Sequence, residues 1–217
     1  MKYRVDLHVH SRFSGDNDSD PEDSIIRAIG LGLTGLAFTE HYSYDASAPV
    51  EALRQKYGNA IAIFRGVEFS SEEGHCLVFG VDTDRLSVAR HAHVEELVKA
   101  VNEWGGVVIP SHPYRKGSGA GDMIRGIGGI CAVEGYNGCN MNCFNEQAVA
   151  LAAALNLPFT GGSDAHFPGE VGSCFTEFED RPTYDNFVFL LQAGRYRGVD
   201  ARKISRIHHF GQATVRD

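Results

Sequence analysis

No apolar run in this 217-residue chain approaches the roughly 18 residues of a bilayer-spanning helix, so no membrane span is expected. An apolar leader is also missing: Met1 and Lys2 run straight into a core-like strand, leaving no room for a signal peptide. Paired cysteines are lacking too. The five present (Cys76, Cys131, Cys139, Cys143, Cys174) are odd in number, which points to reduced thiols in a cytoplasm. There is no long basic run and the net charge is −8, which argues against a dedicated nucleic-acid binder. A nucleotide substrate stays open, because bound cations would bring their own positive charge. No repeat or linker divides the chain. Its 43% hydrophobic and 22% charged content suits one domain, residues 1–217.

Short apolar runs alternate with helix-like segments. Strands are expected at 3–8, 35–39, 60–69, 75–81, 106–110, 131–136, 159–162 and 173–178. Helices are expected at 21–31, 92–104, 145–156 and 183–193, the first with Asp20 as N-cap and Pro21 at its opening position. Runs too apolar to alternate, several followed by a helix, favour parallel strands buried on both faces. The pattern permits a barrel or an open doubly wound sheet. Polar residues arbitrate: His and carboxylates follow many separate strands, as at a barrel mouth, whereas an open sheet gathers them mainly at one switch point. The glycine-rich 117–129 segment reads as a mobile loop over the site.

The richest stretch is Asp6-Leu7-His8-Val9-His10. If it ends a strand, His8 and His10 share one face and can grip one ion. His41, Glu68, His75, His112, Asp164 and His166 recur in similar settings. Singly, each has a plain structural reading: a hydrogen-bonded histidine, a helix-terminal charge at Glu68, a turn cap at Asp164. Together they bury more polarity than a fold tolerates uncompensated, and divalent cations compensate it. Mixed imidazole and carboxylate donors suit zinc, manganese or iron.

Taken in order, His8-Val9-His10, Thr39-Glu40-His41, Gly66-Val67-Glu68, His75, Ser111-His112-Pro113 and Ser163-Asp164-Ala165-His166 resemble the successive motifs of the PHP (polymerase and histidinol phosphatase) family of metal-dependent phosphoesterases. The resemblance runs from Asp6 to about His166. It implies an α/β fold, a distorted (β/α)7 barrel, holding two or three divalent ions (Mn, Zn or Fe). By position, it gives His8, His10, Glu68 and Asp164 to a first ion. Glu68, as a bridge, shares a second with His75 and His112, and Asp16, His41 and His166 hold a third. Asp18 and Asp20 lie in the same acidic loop as Asp16 and stay open as substitutes. Glu40 stands where the family has Asp, which bears on the orientation of His41. The implied chemistry is metal-hydroxide attack on a phosphomonoester of a small metabolite or nucleotide, with Glu68 bridging the ions. Histidinol-phosphatase activity, 3′–5′ phosphodiesterase or exonuclease activity, and a non-catalytic metal- or ligand-binding module are the alternatives.

Arg115, three residues past His112, is the candidate to clamp a phosphate oxygen, or else forms a surface ion pair. Arg12 is a second candidate. Glu134 is either a site-facing acid or a structural hydrogen-bond acceptor at the rim. Cys139 and Cys143 have CxxxC spacing without a second pair, which suits free thiols better than a zinc knuckle. His91 and His93 open a helix and should face solvent. His208 and His209 could reach the mouth from the tail, and the cations Arg195, Arg197, Arg202, Lys203 and Arg206 should be solvated. A small phosphorylated substrate is the expected partner, with no membrane and no long nucleic acid; the oligomeric state is left open.

Overall fold

The computed structural model describes residues 2–41, 43–81 and 92–202. His91, Lys203, Arg206, His208 and His209 fall outside them. The first strand, β1 (Tyr3–Val9), is buried from Val5 onward. The chain continues with α1 (Pro21–Gly30), β2 (Gly35–Phe38), α2 (Val50–Tyr57), β3 (Ala62–Ser70), β4 (His75–Phe79), α3 (Val94–Glu103) and β5 (Val107–Pro110). Then come β6 (Val133–Asn137), α4 (Asn142–Ala154), β7 (Phe159–Gly162), β8 (Cys174–Phe178), α5 (Phe187–Ala193) and β9 (Tyr196–Asp200). Among the described residues no helix is long and apolar enough to cross a membrane.

Seven strands form one sheet in the order β5-β4-β3-β2-β1-β8-β9, and β6 and β7 form a separate parallel ribbon. The ribbon bridges the two sides of the curl. Cys131 N–H reaches the Val108 carbonyl of β5 at 3.4 Å, and Asp164 N–H reaches the His8 carbonyl of β1 at 2.7 Å. β1 through β7 thereby surround one interior as a distorted barrel, while β8 and β9 extend β1 on the far side. Close approach of β7 to β1 depends on Gly162, where a Cβ would lie 2.5 Å from the Cβ of His8.

The strands are not all parallel, as the apolar runs suggested. β3–β4, β4–β5, β1–β8 and β8–β9 pair antiparallel. The four residues between Ser70 and His75 are too few for a parallel crossover, so β3 and β4 form a hairpin. That reversal has a consequence for the site. His75 opens β4 opposite Ser70, so it stands at the same mouth where the other strands end.

Helix boundaries fall within a few residues of those expected, except that α5 starts four residues later, at Phe187. Asp20 caps α1, accepting Glu22 N–H at 2.9 Å, and Ile25 and Ala28 supply its buried face. Two elements were not anticipated: α2, whose one fully buried residue is Val50, and β9. The 117–129 segment is not a loose flap. It contains a 3-10 turn at Gly121–Gly126 and sends Ala120 and Ile124 into the core beside α3. Ser118 carbonyl also accepts His75 N–H at 2.9 Å.

Candidate metal centre

Glu68 is 1% exposed at the end of β3 and lies at the middle of the mouth. Five imidazoles surround it. His112 Nε2 and His75 Nδ1 lie 2.8 and 3.2 Å from Oε1, and His8 Nε2 lies 3.4 Å from it. His41 Nδ1 and His10 Nε2 are 3.3 and 3.4 Å from Oε2. Ser111 Oγ donates to Oε1 at 3.0 Å. On the other side of the first pair, Asp164 Oδ1 is 3.3 Å from both His8 Nε2 and His10 Nε2. Asp16 Oδ2 closes the outer edge, 3.2 Å from His41 Nε2 and 3.0 Å from His166 Nε2. Of the acidic-loop candidates, Asp16 reaches these imidazoles, whereas Asp20 caps α1 and pairs with Arg12.

Donor atoms fall into three groups whose members lie within 4.8 Å of one another: His8, His10, Glu68 and Asp164; Glu68, His75 and His112; His10, His41 and His166. The first and second share Glu68, and the first and third share His10. A proton inventory shows that these donors fit cations. Glu134 Oε1 accepts from His8 Nδ1 at 2.9 Å, and Ser14 Oγ sits 2.9 Å from His10 Nδ1. The Ser14 hydroxyl proton is committed to Glu40 Oε2 at 2.5 Å, so Ser14 must accept from His10. Both rings therefore turn bare Nε2 lone pairs toward each other, only 3.0 Å apart. A bound cation, or a proton held between them, is needed to make that stable. His166 repeats the arrangement with Nδ1 at 2.9 Å from the Asp164 carbonyl. His112 Nδ1 is buried without a hydrogen-bond partner among the described residues.

Electrostatics agree. Burial alone would raise the Glu68 carboxyl, but the imidazoles of His8, His10, His112 and His75 outweigh it and hold it well below the carboxylate range. Asp164 behaves likewise. Against the desolvation that would lower it, hydrogen bonds to Asp164 and Glu68 raise His10 to about 9. In the protein without ions, protons thus do part of the work that cations would do.

Backbone strain marks the same place. His112 (φ 31°) and Asp164 (φ 56°) are two of three described non-glycine residues with left-handed φ. Such a conformation persists only when its surroundings fix it. His112 N–H is anchored on Glu134 Oε2 at 2.8 Å.

The structure places three further candidates, of which Arg12 alone lies away from the cluster. Glu134 is 1% exposed and accepts from His8 Nδ1 at 2.9 Å, which fits the structural hydrogen-bond acceptor of its two readings better than the site-facing acid. Glu40 bears on His10 as well as on His41, in both cases through Ser14. Its carboxylate takes Ser11 Oγ, Ser11 N–H and Ser14 Oγ, while Ser14 also accepts His41 N–H at 3.2 Å. Arg12 is engaged away from the cluster: it pairs with Asp20 at 2.7 Å and stacks over Phe13. Arg115 does stand at the site, with Nη2 2.7 Å from Asp164 Oδ2. His93 is exposed and pairs with Glu73 at 2.7 Å. Of the tail cations, Arg195 pairs with Asp180, Arg197 with Glu177, and Arg202 binds Asp200 and the carbonyls of Gly138 and Asn140. All five cysteines are free; Cys139 Sγ donates to the Asp164 carbonyl at 3.2 Å and forms no zinc knuckle.

A curled α/β sheet whose mouth gathers six imidazoles and three carboxylates defines a metal-binding barrel. A family model described as PHP domain matches residues 6–116, and one described as PHP-associated matches residues 142–196. The chain belongs to the PHP domain family, a family of metal-dependent phosphoesterases. A relative is an uncharacterized protein of Methanocaldococcus jannaschii, 25% identical over 121 residues, covering 51% of this chain and 68% of that one. Among solved structures, PsfC of Pseudomonas syringae matches with a TM-score of 0.69 at 21% identity, covering 99% of both chains. A lesion-specific endonuclease of Pyrococcus furiosus matches with a TM-score of 0.67 at 17% identity, over 91% of this chain and 58% of that one. At these identities both structures share the fold.

Proposed function

We propose that the protein is a divalent-metal-dependent phosphomonoesterase acting on a small phosphorylated metabolite or nucleotide. The observation that carries this reading is the shared use of Glu68 and His10, which would set three cations side by side in one pocket. His8, His10, Glu68 and Asp164 would hold one ion, and Glu68, His75 and His112 a second. His41 and His166, with Asp16 and His10 at hand, would hold a third. Manganese, zinc and iron all suit these donors. When bound, such ions lower the pKa of water toward neutrality and neutralise phosphoryl oxygens.

This chain's own residues supply the rest. Glu134 and the Glu40–Ser14 pair keep Nδ1 of His8 and His10 protonated, which leaves Nε2 for the ion. Arg115 is partly exposed beside Asp164. Its Nε and Nη2 are bonded, while Nη1 has no hydrogen bond among the described residues and would donate to a phosphate oxygen.

Phosphodiester cleavage would use the same cluster, and the endonuclease neighbour favours it. The net charge of −8 favours a small substrate over a long polyanion. The test is turnover of p-nitrophenyl phosphate and a panel of phosphorylated metabolites by manganese-loaded protein. Phosphate release is expected. A folded, metal-replete sample that releases none across the panel would instead support a binding module.

A further inference from the structure

We propose that Asn137, at the end of β6, is the positioning residue that fixes Asp164, Glu134 and Arg115 relative to one another; the inference rests on the metallophosphoesterase reading above. Asn137 is fully buried. Its Nδ2 donates to Glu134 Oε2 at 2.9 Å and to Asp164 Oδ2 at 3.2 Å. Its Oδ1 accepts from Arg115 Nη2 at 2.8 Å and from Cys139 N–H at 3.0 Å. The amide orientation follows from these partners, since the flipped amide would set oxygen against two carboxylates and nitrogen against a guanidinium.

The backbone of Asn137 is fixed as firmly as its side chain. Asn145 Oδ1 accepts Asn137 N–H at 3.2 Å, and Asn145 Nδ2 donates to the Asn137 carbonyl at 2.9 Å. Every hydrogen-bonding group of the residue is thus engaged, so its side chain has one place to be.

What it joins is chemically specific. Glu134 sets the tautomer of His8, Asp164 faces both His8 and His10, and Arg115 is the cation at the rim. A neutral amide is the side chain that can donate to two buried carboxylates and still accept from a guanidinium. Aspartate in its place would put a third carboxylate against the first two, and an aliphatic residue would remove one hydrogen bond from each of four partners. Asn137 lies outside the three donor groups and acts through Asp164 and, by way of Glu134, through His8.

The experiment compares the parent with Asn137→Ala by manganese titration calorimetry, circular dichroism and steady-state kinetics on p-nitrophenyl phosphate. The expected result is a folded variant whose tightest manganese site is weakened 10- to 100-fold. The loss of turnover should fall mainly on kcat, with KM changed less than threefold at saturating manganese. Asn137→Ser, which restores one hydroxyl donor in a smaller volume, should recover part of the affinity. Parent-like manganese affinity and kcat in the folded Ala variant would overturn the proposal. So would failure of both variants to fold while the chelator-treated parent stays folded, since that would make Asn137 a residue of the fold alone. A parent that binds manganese but hydrolyses no ester would sink the phosphatase reading, and the titration would still decide the role of Asn137.

Discussion

At the scale of single residues, cation binding depends on which imidazole nitrogen carries the proton. Glu134→Gln offers an amide that cannot serve as a charged acceptor for His8 Nδ1–H. It is expected to weaken manganese binding 10- to 100-fold while leaving the far-ultraviolet circular dichroism unchanged, as titration calorimetry would show. Unaltered affinity would mean that Glu134 does not set the tautomer. The left-handed φ of His112 gives a second, independent prediction. In metal-free protein His112→Gly should be more stable than His112→Ala by about 1 kcal/mol, because alanine keeps the Cβ that the conformation disfavours. Urea unfolding of both variants checks it, and equal stabilities would count against strain there. The gathering of these side chains was legible in the sequence because His, Glu and Asp at strand ends have few other uses in such numbers. Ser14, Asn137 and Asn140 were not, since serine and asparagine at a rim look like ordinary turn residues until their partners, distant in the chain, are known.

At the scale of elements, short connections and crossings place the ligands. The parallel bias of the apolar runs concealed the β3–β4 hairpin, although the few residues before His75 already argued for one. α2 and β9 escaped notice for a plain reason. α2 shows mostly polar side chains with Val50 fully buried, and β9 alternates around a glycine in an arginine-rich stretch. The crossing of β7 over β1 gives a sharp test. Gly162→Ala would drive a Cβ into His8. It is expected to cost about 1–3 kcal/mol in urea unfolding and to weaken metal binding as well. A change in stability with metal affinity untouched would show that β7 does not position His8. The start of α3 supplies a pH dependence. Glu73 accepts from Val94 N–H at 2.8 Å and from His93, raising His93 above its usual 6.5 and lying itself below its usual 4.5. The His93 share of stability is full below 6.5 and fades as pH rises through its folded value. The Glu73 share is full above 4.5 and fades as pH falls through its folded value. Parent minus Glu73→Gln stability should therefore peak between these limits. A difference that stays flat from pH 4 to 9 would rule the pair out as a contributor.

For the molecule as a whole, the barrel brings the N-terminal His8-Val9-His10 motif against the Asp164–His166 segment more than 150 positions later, and contacts of His8 and His10 with Asp164 and Ala165 join the two. Ions that bind only the folded state should stabilise it by about 2.7 kcal/mol at a free concentration one hundred times Kd. For a chain of this size that is roughly 5–10 °C in Tm, removable by chelator. The fold class was readable because ligand candidates followed many strands. The precise closure, by a β6–β7 ribbon and two bridging hydrogen bonds, depends on non-local contacts that periodicity does not encode. The most direct measurement is the anomalous scattering map of a manganese-soaked crystal. Peaks are expected enclosed by His8, His10, Glu68 and Asp164 and by Glu68, His75 and His112. Saturating manganese with no peak at either group would contradict the metal-centre reading.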